Sequence, residues 1–175
     1  MHKVVLIAAL PLLCATVVSA QAGKEAAGGI QAIYSSAKGY LVRAAEQVPE
    51  DKYAYKPVAT VRSFGAIMAH LADSNFAFCA TAAGKPTAEG SSIEQTAKTK
   101  AQIVAKLKES YAACDAVYSA MTDAGLVKKT TLFGSPATVS QVLVLNAGHN
   151  EEHYGNVVTY MRMMGMVPPS SQGGN

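Results

Sequence analysis

The sequence predicts an all-α protein, a four-helix bundle preceded by a signal peptide, and three observations support this prediction. Four segments repeat apolar residues at the three- and four-residue spacing of amphipathic helices. These segments are bounded by capping residues, Gly or Pro. No stretch of useful length alternates apolar and polar residues as a half-buried strand does, and no segment is repeated. We therefore expect one helical domain.

The first twenty residues have the composition of a secretory signal peptide. His2 and Lys3 form a short basic start, an apolar run follows over residues 4–18, and small side chains precede residue 21. A membrane anchor needs roughly 20 apolar residues, and this run is shorter and contains Pro11. We therefore expect cleavage after Ala20, a periplasmic or secreted mature protein, and no membrane span after cleavage.

The composition suits a globular domain and argues against nucleic acid as a partner. Half of the 175 residues are hydrophobic and 15% are charged, which is not a disordered composition. The formal net charge is only +3, and the lysines are scattered instead of forming a basic stripe with aromatic residues. We expect a small-molecule substrate, whose identity the sequence does not give, and no nucleic-acid partner.

The first half of the chain predicts two helices. After a flexible N-terminus, residues 21–29, the bundle (residues 30–167) opens with a helix that runs to about Gln47 and stops at Pro49. A connector over residues 53–62 leads to Ser63, which is a good N-cap for a second helix running to about Ala83. Gly84 and Pro86 end that helix, and a loop over residues 87–91 follows.

The second half predicts two more helices. Ser92 and Gln95 have the spacing of a capping box, and the third helix runs from there to about Met121. Residues 125–136 are predicted to form a loop with a short extended piece at 130–133. Thr138 caps the fourth helix, which runs to Met164 and ends at Gly165. We expect residues 168–175 to form a disordered tail.

Three histidines remain after cleavage, and their positions predict a metal site. His149 and His153 are four residues apart and therefore lie on one face of the fourth helix, one turn apart. Both fall on a row of that helix expected to point inward, and His70 falls in the middle of the second helix on an apolar or small row. An inward His70 would complete a set of three ligands for Zn²⁺, Ni²⁺ or Fe²⁺, with open coordination positions.

Two other interpretations of these histidines have to be weighed against this prediction. An interior histidine is usually a core residue whose hydrogen bonds are satisfied, and a pair at i, i+4 is common. The inverted zinc-protease motif His-x-x-Glu-His does match at residues 149–153, with Glu152 as the base. However, no acidic residue follows His153 to serve as the usual downstream ligand, so that class of protease is disfavoured.

The chain also resembles the DinB-like superfamily, in particular its exported bacterial members. The resemblance lies in residues 70–75 (His-Leu-Ala-Asp-Ser-Asn), in residues 149–156 and in the ending at residues 164–169 (Met-Gly-Met-Val-Pro-Pro). It implies a bundle in up-down-down-up order with the long crossover at residues 84–92. It further implies a divalent metal ion held by His70, His149 and His153. Relatives in that superfamily include thiol-dependent transferases and isomerases, in which the metal activates the sulfur of a small thiol.

Three functions follow from these patterns. The first is an exported metal-dependent hydrolase or transferase, in which Glu152 or Asp73 carries a proton or orients a ligand. The second is a non-catalytic metal-binding or sensing bundle, which needs the same ligands. The third is a structural bundle with packed histidines. A substrate-sized pocket beside the metal would favour the first.

Cysteine and methionine residues supply two further predictions. In an oxidising compartment Cys79 and Cys114 are disulfide candidates, and the parallel second and third helices implied by the family order would place both on one side of the bundle. The alternative is two buried free thiols. The methionines at the end of the fourth helix are candidates for a homodimer contact, although core packing is their commoner use.

Overall fold

The computed structural model describes residues 23–87 and 92–173. The predicted signal peptide, residues 1–20, lies outside the described residues, as do residues 88–91 of the predicted loop. In chain order the elements are α1 (Glu25–Gln47), a 3-10 turn (Glu50–Lys52), α2 (Phe64–Ala82), α3 (Ile93–Thr96), α4 (Lys100–Ala120), α5 (Asp123–Leu126), β1 (Lys129–Leu132), β2 (Ser135–Thr138), α6 (Val139–Met163) and a second 3-10 turn (Pro169–Ser171).

The four long helices, α1, α2, α4 and α6, enclose one hydrophobic core. Helix α2 packs against α4 and α6, and α1 packs against the same two helices. Each long helix therefore buries an apolar face without a sheet, because removing those side chains from water is the main favourable term in folding. The mostly helical fold predicted from the sequence is confirmed. The largest fully buried apolar side chains include Tyr34, Leu41, Phe64, Met68, Leu71, Leu107, Tyr111, Tyr118, Leu143 and Met161.

Helix α1 begins earlier than predicted, because its N-terminus is capped by a distant residue. The carboxylate of Asp123 accepts hydrogen bonds from the backbone N–H groups of Glu25 and Ala27, at 3.1 and 2.9 Å. These groups have no partner inside the helix, so a carboxylate stabilises them. Residues 25–29, expected to be flexible, are therefore helical. The cap comes from 98 residues away in the chain, so no local pattern announces it.

The predicted third helix is divided in two by a second helix start. The short α3 begins after Ser92, whose hydroxyl accepts from the N–H of Gln95, which is one of the two hydrogen bonds of the predicted capping box. The backbone is then extended at Ala97. Thr99 caps the start of α4 and forms a complete capping box with Gln102. Because Thr99 and Gln102 satisfy the first N–H groups of α4 locally, the break costs little. The sequence contains both caps, at Ser92 and at Thr99, whereas the prediction has one continuous helix from Ser92.

The predicted loop at residues 125–136 is more regular than expected. It contains the end of α5 and a hairpin, in which β1 pairs antiparallel with β2. The turn residues Phe133 and Gly134 both have positive φ angles, 50° and 79°. This is the backbone of the two-residue hairpin loop whose twist matches that of the strands. The predicted extended piece at residues 130–133 therefore corresponds to most of β1.

Helix α6 has the predicted cap, but the segment after it is ordered. Thr138 and Gln141 form a capping box at its start. Beyond α6, the second 3-10 turn buries Pro169, and the N–H of Ser170 donates to the Tyr154 hydroxyl at 2.9 Å. These contacts replace the disordered tail expected from residue 168, up to the last described residue, 173. The buried Pro169 and the hydrogen bond of Ser170 therefore hold this segment against α6, although it has little regular structure.

A disulfide joins α2 to α4. Cys79 and Cys114, 35 residues apart in sequence, form the bond with their Cα atoms 5.3 Å apart. This separation lies in the ordinary range for disulfides. Both residues are buried, and the side-chain amide of Asn146 on α6 lies 3.7 Å from the Cys79 sulfur. The bond thus crosses the interior of the bundle.

Two surface features bear on membrane and subunit contacts. Among the described residues, none of the helices combines the length and the apolar character that a bilayer crossing requires. Of the methionines near the end of α6, Met161 is fully buried and Met163 is 58% exposed. Core packing therefore accounts for Met161, and Met163 remains as a candidate dimer contact.

Candidate metal centre

Three histidine rings meet where α2 packs against α6. His149 and His153 extend from successive turns of α6, and His70 reaches them from the middle of α2. The Nε2 atom of His149 lies 3.2 Å from that of His70 and 3.1 Å from that of His153. One ligand atom from each ring lies within 4.8 Å of the other two. The structure therefore brings the three sequence-predicted ligands together.

Hydrogen bonds alone do not account for the contacts between these three rings. A ring nitrogen of a neutral histidine either donates one hydrogen bond or accepts one. The Nε2 atom of His149 has two other Nε2 atoms as close neighbours, so at most one of these contacts is a hydrogen bond. A single cation would accept lone pairs from all three atoms at once.

The distances and the donor set fit a divalent metal ion. Two nitrogens bound to one tetrahedral Zn²⁺ at 2.0–2.1 Å are about 3.3–3.4 Å apart, close to the two observed separations. Imidazole nitrogen suits zinc, nickel and iron alike, so the ligands do not choose among them. The other ring nitrogen of His149, Nδ1, is buried and has no hydrogen-bond partner among the described residues.

The environment keeps the three rings neutral at physiological pH. Burial is the largest cause and lowers the pKa of each ring. For His153, burial and the neighbouring His149, His70 and Arg62 together lower the pKa to about 4. Neutral imidazole is the form that binds metals, because its lone pair is free. At pH 7 the three rings are therefore in the form that binds a cation.

The histidines lie at the edge of the core instead of its centre, which corrects one sequence-based expectation. All three rings are half-buried, and Leu145, on the same predicted inward row of α6, is 40% exposed. The fully buried polar residues of α6 are Asn146 and Asn150. The buried face of α6 is rotated about the helix axis relative to the predicted row, because the side-chain amides of Asn146 and Asn150 have hydrogen-bond partners inside the bundle.

A buried hydrogen-bond network joins three helices beside the histidines, through Asn150, which follows His149 in the chain. The Asn150 side chain donates to the Asn75 side chain on α2 at 3.0 Å and to the backbone oxygen of Asn146 at 2.7 Å. The Tyr111 hydroxyl on α4 donates to Asn150 at 2.6 Å. Such a satisfied network fixes the relation of α2, α4 and α6. Sequence reasoning missed it, because asparagine in a helix is ordinarily a surface residue.

Asp73, one of the two carboxylates predicted to assist the site, has backbone partners. Its two oxygens accept hydrogen bonds from the N–H groups of Ile93 and Glu94, at 2.8 and 3.1 Å. Asp73 therefore fixes the start of α3 against α2. Through this contact it positions Glu94, whose carboxylate oxygen lies 3.9 Å from Nδ1 of His70.

Glu94 is the neighbouring acid that sequence reasoning missed. It also accepts a hydrogen bond from the Arg62 Nε–H at 3.0 Å. Its position in the first turn after Ser92 is visible in the sequence, but nothing there links it to His70. The second predicted carboxylate, Glu152, is exposed on α6, and its charge raises the pKa of His70 and His149 against the effect of burial.

An open cleft of about 560 Å³ lies beside the histidines. This size is in the range of small-molecule sites. His153 contributes to the lining, so a ligand in the cleft can reach the side of the histidine group. The cleft is lined by Thr60, Val61, Arg62, Ile67, Glu94, His153, Asn156 and Tyr160.

Comparison with known proteins gives one family match and several similar folds. The model of the DinB superfamily matches residues 34–157. No curated protein matches the sequence. A DinB-like protein from Bacillus subtilis is 24% identical, with a TM-score of 0.65, over 82% of this chain and 98% of that chain. A DinB-like protein from Bacillus cereus ATCC 10987 is 17% identical, with a TM-score of 0.69, over 81% and 95% of the two chains.

A third similar structure is the mycothiol-dependent maleylpyruvate isomerase. It is 12% identical, with a TM-score of 0.60, over 79% of this chain and 67% of that chain. At these identities the three structures show a shared fold.

Proposed function

The chain belongs to the DinB superfamily, and on this premise we propose that it is an exported metal-dependent hydrolase or transferase. A single divalent ion, Zn²⁺, Ni²⁺ or Fe²⁺, would be held by His70, His149 and His153. The observation that carries the proposal is the close approach of the three Nε2 atoms. That of His149 lies 3.1 and 3.2 Å from the other two, and hydrogen bonds between neutral rings account for only one of these contacts.

The residues around the histidines have separate tasks in this proposal. A divalent ion on three imidazoles keeps open positions, where it lowers the pKa of a bound water or thiol and polarises a substrate. Glu152, exposed beside His153, carries a proton between the site and solvent. Asp73 acts through α3, because its bonds to the backbone of Ile93 and Glu94 hold the Glu94 carboxylate near His70.

A metal-sequestering or sensing protein without turnover is the second candidate, and the cleft favours an enzyme over it. Sequestration needs ligands but no space beside them, and here about 560 Å³ opens next to His153. Arg62, Asn156 and Tyr160 line that space with polar groups, as substrate sites commonly do. An enzyme therefore explains both the ligands and the cleft.

The up-down-down-up helix order implied by the resemblance forms part of the proposal. Two contacts between α2 and α4 support it. Asn75 meets Ser110 and Cys79 meets Cys114, so the partners advance together along both helices, as in a parallel pair. A parallel pair of successive helices needs a long connection, and residues 83–99 provide one.

Metal content is the first test of the proposed function. Mature protein without an affinity tag is purified, and its metal is measured by elemental analysis beside the variant His149→Ala and the control Thr159→Ala, an exposed change on the same helix. We expect about one ion per chain in the wild type and the control, and loss of the ion in His149→Ala, because two ligands bind weakly. Equal metal in all three proteins would contradict the proposal.

Exchange at the ion separates the enzyme from the binding protein. Protein loaded with Co²⁺ is titrated with a small thiol, and the visible absorption of the ion is followed. We expect a spectral change, because an open position exchanges its ligand. If thiol does not change the spectrum of the metal-loaded protein and the ion exchanges no water, the enzyme is contradicted and the metal-binding protein without turnover is supported.

Export is tested separately. The disulfide between Cys79 and Cys114 supports an oxidising compartment, since such bonds are rare in the cytosol of mesophiles. Cell fractionation and N-terminal sequencing are expected to find a periplasmic or secreted protein that begins at Gln21. A cytosolic protein with an intact N-terminus would contradict export.

A further inference from the structure

Arg62 lies in the wall of the cleft, close to the histidines. It precedes α2, and it lines the same cleft as His153. Among the described residues that line the cleft, Arg62 is the only lysine or arginine.

The guanidinium of Arg62 is anchored along one edge only. Its Nε–H donates to Glu94 at 3.0 Å, while its backbone oxygen accepts from the Tyr160 hydroxyl at 2.9 Å. Within residues 23–87 and 92–173, its two terminal nitrogens have no hydrogen-bond partner, and the side chain is 45% exposed. The edge that remains carries two parallel N–H groups, the geometry that binds a carboxylate at two points.

The charges of the site favour an anion with one negative charge. Arg62 and Glu94 balance each other, and imidazoles bind a metal in their neutral form, so a divalent ion would leave the site positive. The negative charge of Glu94 disfavours a dianionic group at the same place, and the described residues add no second lysine or arginine to the cleft lining to compensate it. A planar carboxylate matches both the free edge of the guanidinium and this charge balance.

We propose that Arg62 recognises a carboxylate on the substrate, so that the site acts on small organic acids. This inference rests on the proposed function, because it names the substrate class of the same site. The carboxylate binds the two terminal nitrogens of Arg62, and the remainder of the molecule extends towards His153. Val61 and Ile67 line the cleft with apolar surface, which suits a short hydrocarbon body.

The test compares two probes of nearly equal shape, isobutyrate and isobutyramide. Each is titrated into Co²⁺-loaded mature protein, and binding is followed through the visible spectrum of the ion. The proteins are the wild type, Arg62→Gln, Arg62→Lys and the control Arg43→Gln, which changes an exposed arginine stacked on Tyr40 in α1. Circular dichroism and metal content verify that each variant is folded and loaded.

We expect Arg62→Gln to bind isobutyrate about 10- to 100-fold more weakly than the wild type, the usual range for losing a hydrogen bond to a charged group. Arg62→Lys should fall between the two, because lysine keeps the charge and loses the paired N–H groups. Arg43→Gln should match the wild type. Binding of isobutyramide should be independent of residue 62.

Two outcomes would overturn the inference. One is equal isobutyrate affinity in the wild type and Arg62→Gln, which would mean that the metal alone holds the anion. The other is a wild type that binds isobutyramide and isobutyrate with equal affinity, or that binds neither probe.

A protein that takes up no metal would refute the proposed function but not this inference. Isobutyrate is then titrated into the metal-free protein, and the Nε–H resonance of Arg62 is followed by NMR. A saturable shift, lost in Arg62→Gln, supports recognition by Arg62. An unchanged resonance refutes it.

Discussion

At the scale of single residues, the histidine group combines three bases in a half-buried place. A buried imidazole resists protonation, because charge is costly away from water and the neighbouring rings repel a second charge. Burial therefore lowers the pKa of all three rings, and that of His153 to about 4. The same property that keeps the lone pairs free for a metal also couples folding to pH.

The metal-free protein is therefore expected to lose stability in mild acid. Below 6.5, the ordinary histidine pKa, the unfolded chain takes up protons at these residues, while folded His153 resists them until about pH 4. The unfolded state then binds more protons, so the free energy of unfolding falls as the pH drops from 6.5 towards 4. Urea denaturation of chelator-treated protein at pH 7 and pH 5 measures the fall.

The control for this experiment is a variant with His70, His149 and His153 all replaced by Asn. Carboxylates also titrate in this range, so the difference between the two proteins is the result that counts. We expect a steeper loss of stability in the wild type. Equal pH dependence in both proteins would show that the rings are not shielded.

Sequence reasoning located the histidines but not Glu94 and Arg62 beside them. The i, i+4 spacing fixes His149 and His153 on one helix face, and a third histidine in mid-helix was the natural partner. Glu94 and Arg62 approach these rings only because α3 and the connector before α2 fold over them. That approach depends on tertiary contacts, such as the one between Asp73 and α3, which have no period in the sequence.

At the scale of elements, the helices whose limits were predicted well are those with local caps. Ser63 and Thr138 cap α2 and α6 through N–H groups three residues ahead, so the signal lies in a four-residue window. The start of α1 depends instead on Asp123, and its position was missed. The hairpin of β1 and β2 was foreseen only in part, because its strands are four residues long.

We expect Asp123→Ala to lower the free energy of unfolding by about 1–2 kcal/mol, since it leaves the N–H groups of Glu25 and Ala27 without their acceptor. Urea denaturation measures the change. The matched control is Asp51→Ala, which removes an exposed aspartate in the first 3-10 turn. Equal effects of the two substitutions would refute the capping role of Asp123.

At the scale of the whole molecule, the bundle is held by its apolar core, by the buried amides of Asn75, Asn146 and Asn150, and by one disulfide. The mostly helical architecture followed from composition and periodicity, because both report how the whole chain buries its surface. The resemblance to a known family added the expected helix order. Neither source indicated the polar network, whose residue types alone predict exposure.

The disulfide is expected to stabilise the fold by about 3–4 kcal/mol, because it closes a loop of this length in the unfolded chain. The double variant Cys79→Ala/Cys114→Ala should therefore unfold at lower urea than the wild type, with metal removed from both. Reduction of the wild type should reproduce most of the shift. Two free thiols in the unreduced wild type would contradict the bond.

The most direct test of the account is the position of the metal. Crystals of the mature protein grown with Zn²⁺ are measured at the zinc absorption edge, where anomalous scattering locates the ion. We predict one ion about 2.0–2.1 Å from the Nε2 atoms of His70, His149 and His153, with at least one further position open to solvent or ligand. An ion bound elsewhere, or by only two of the three rings, would contradict the shared site.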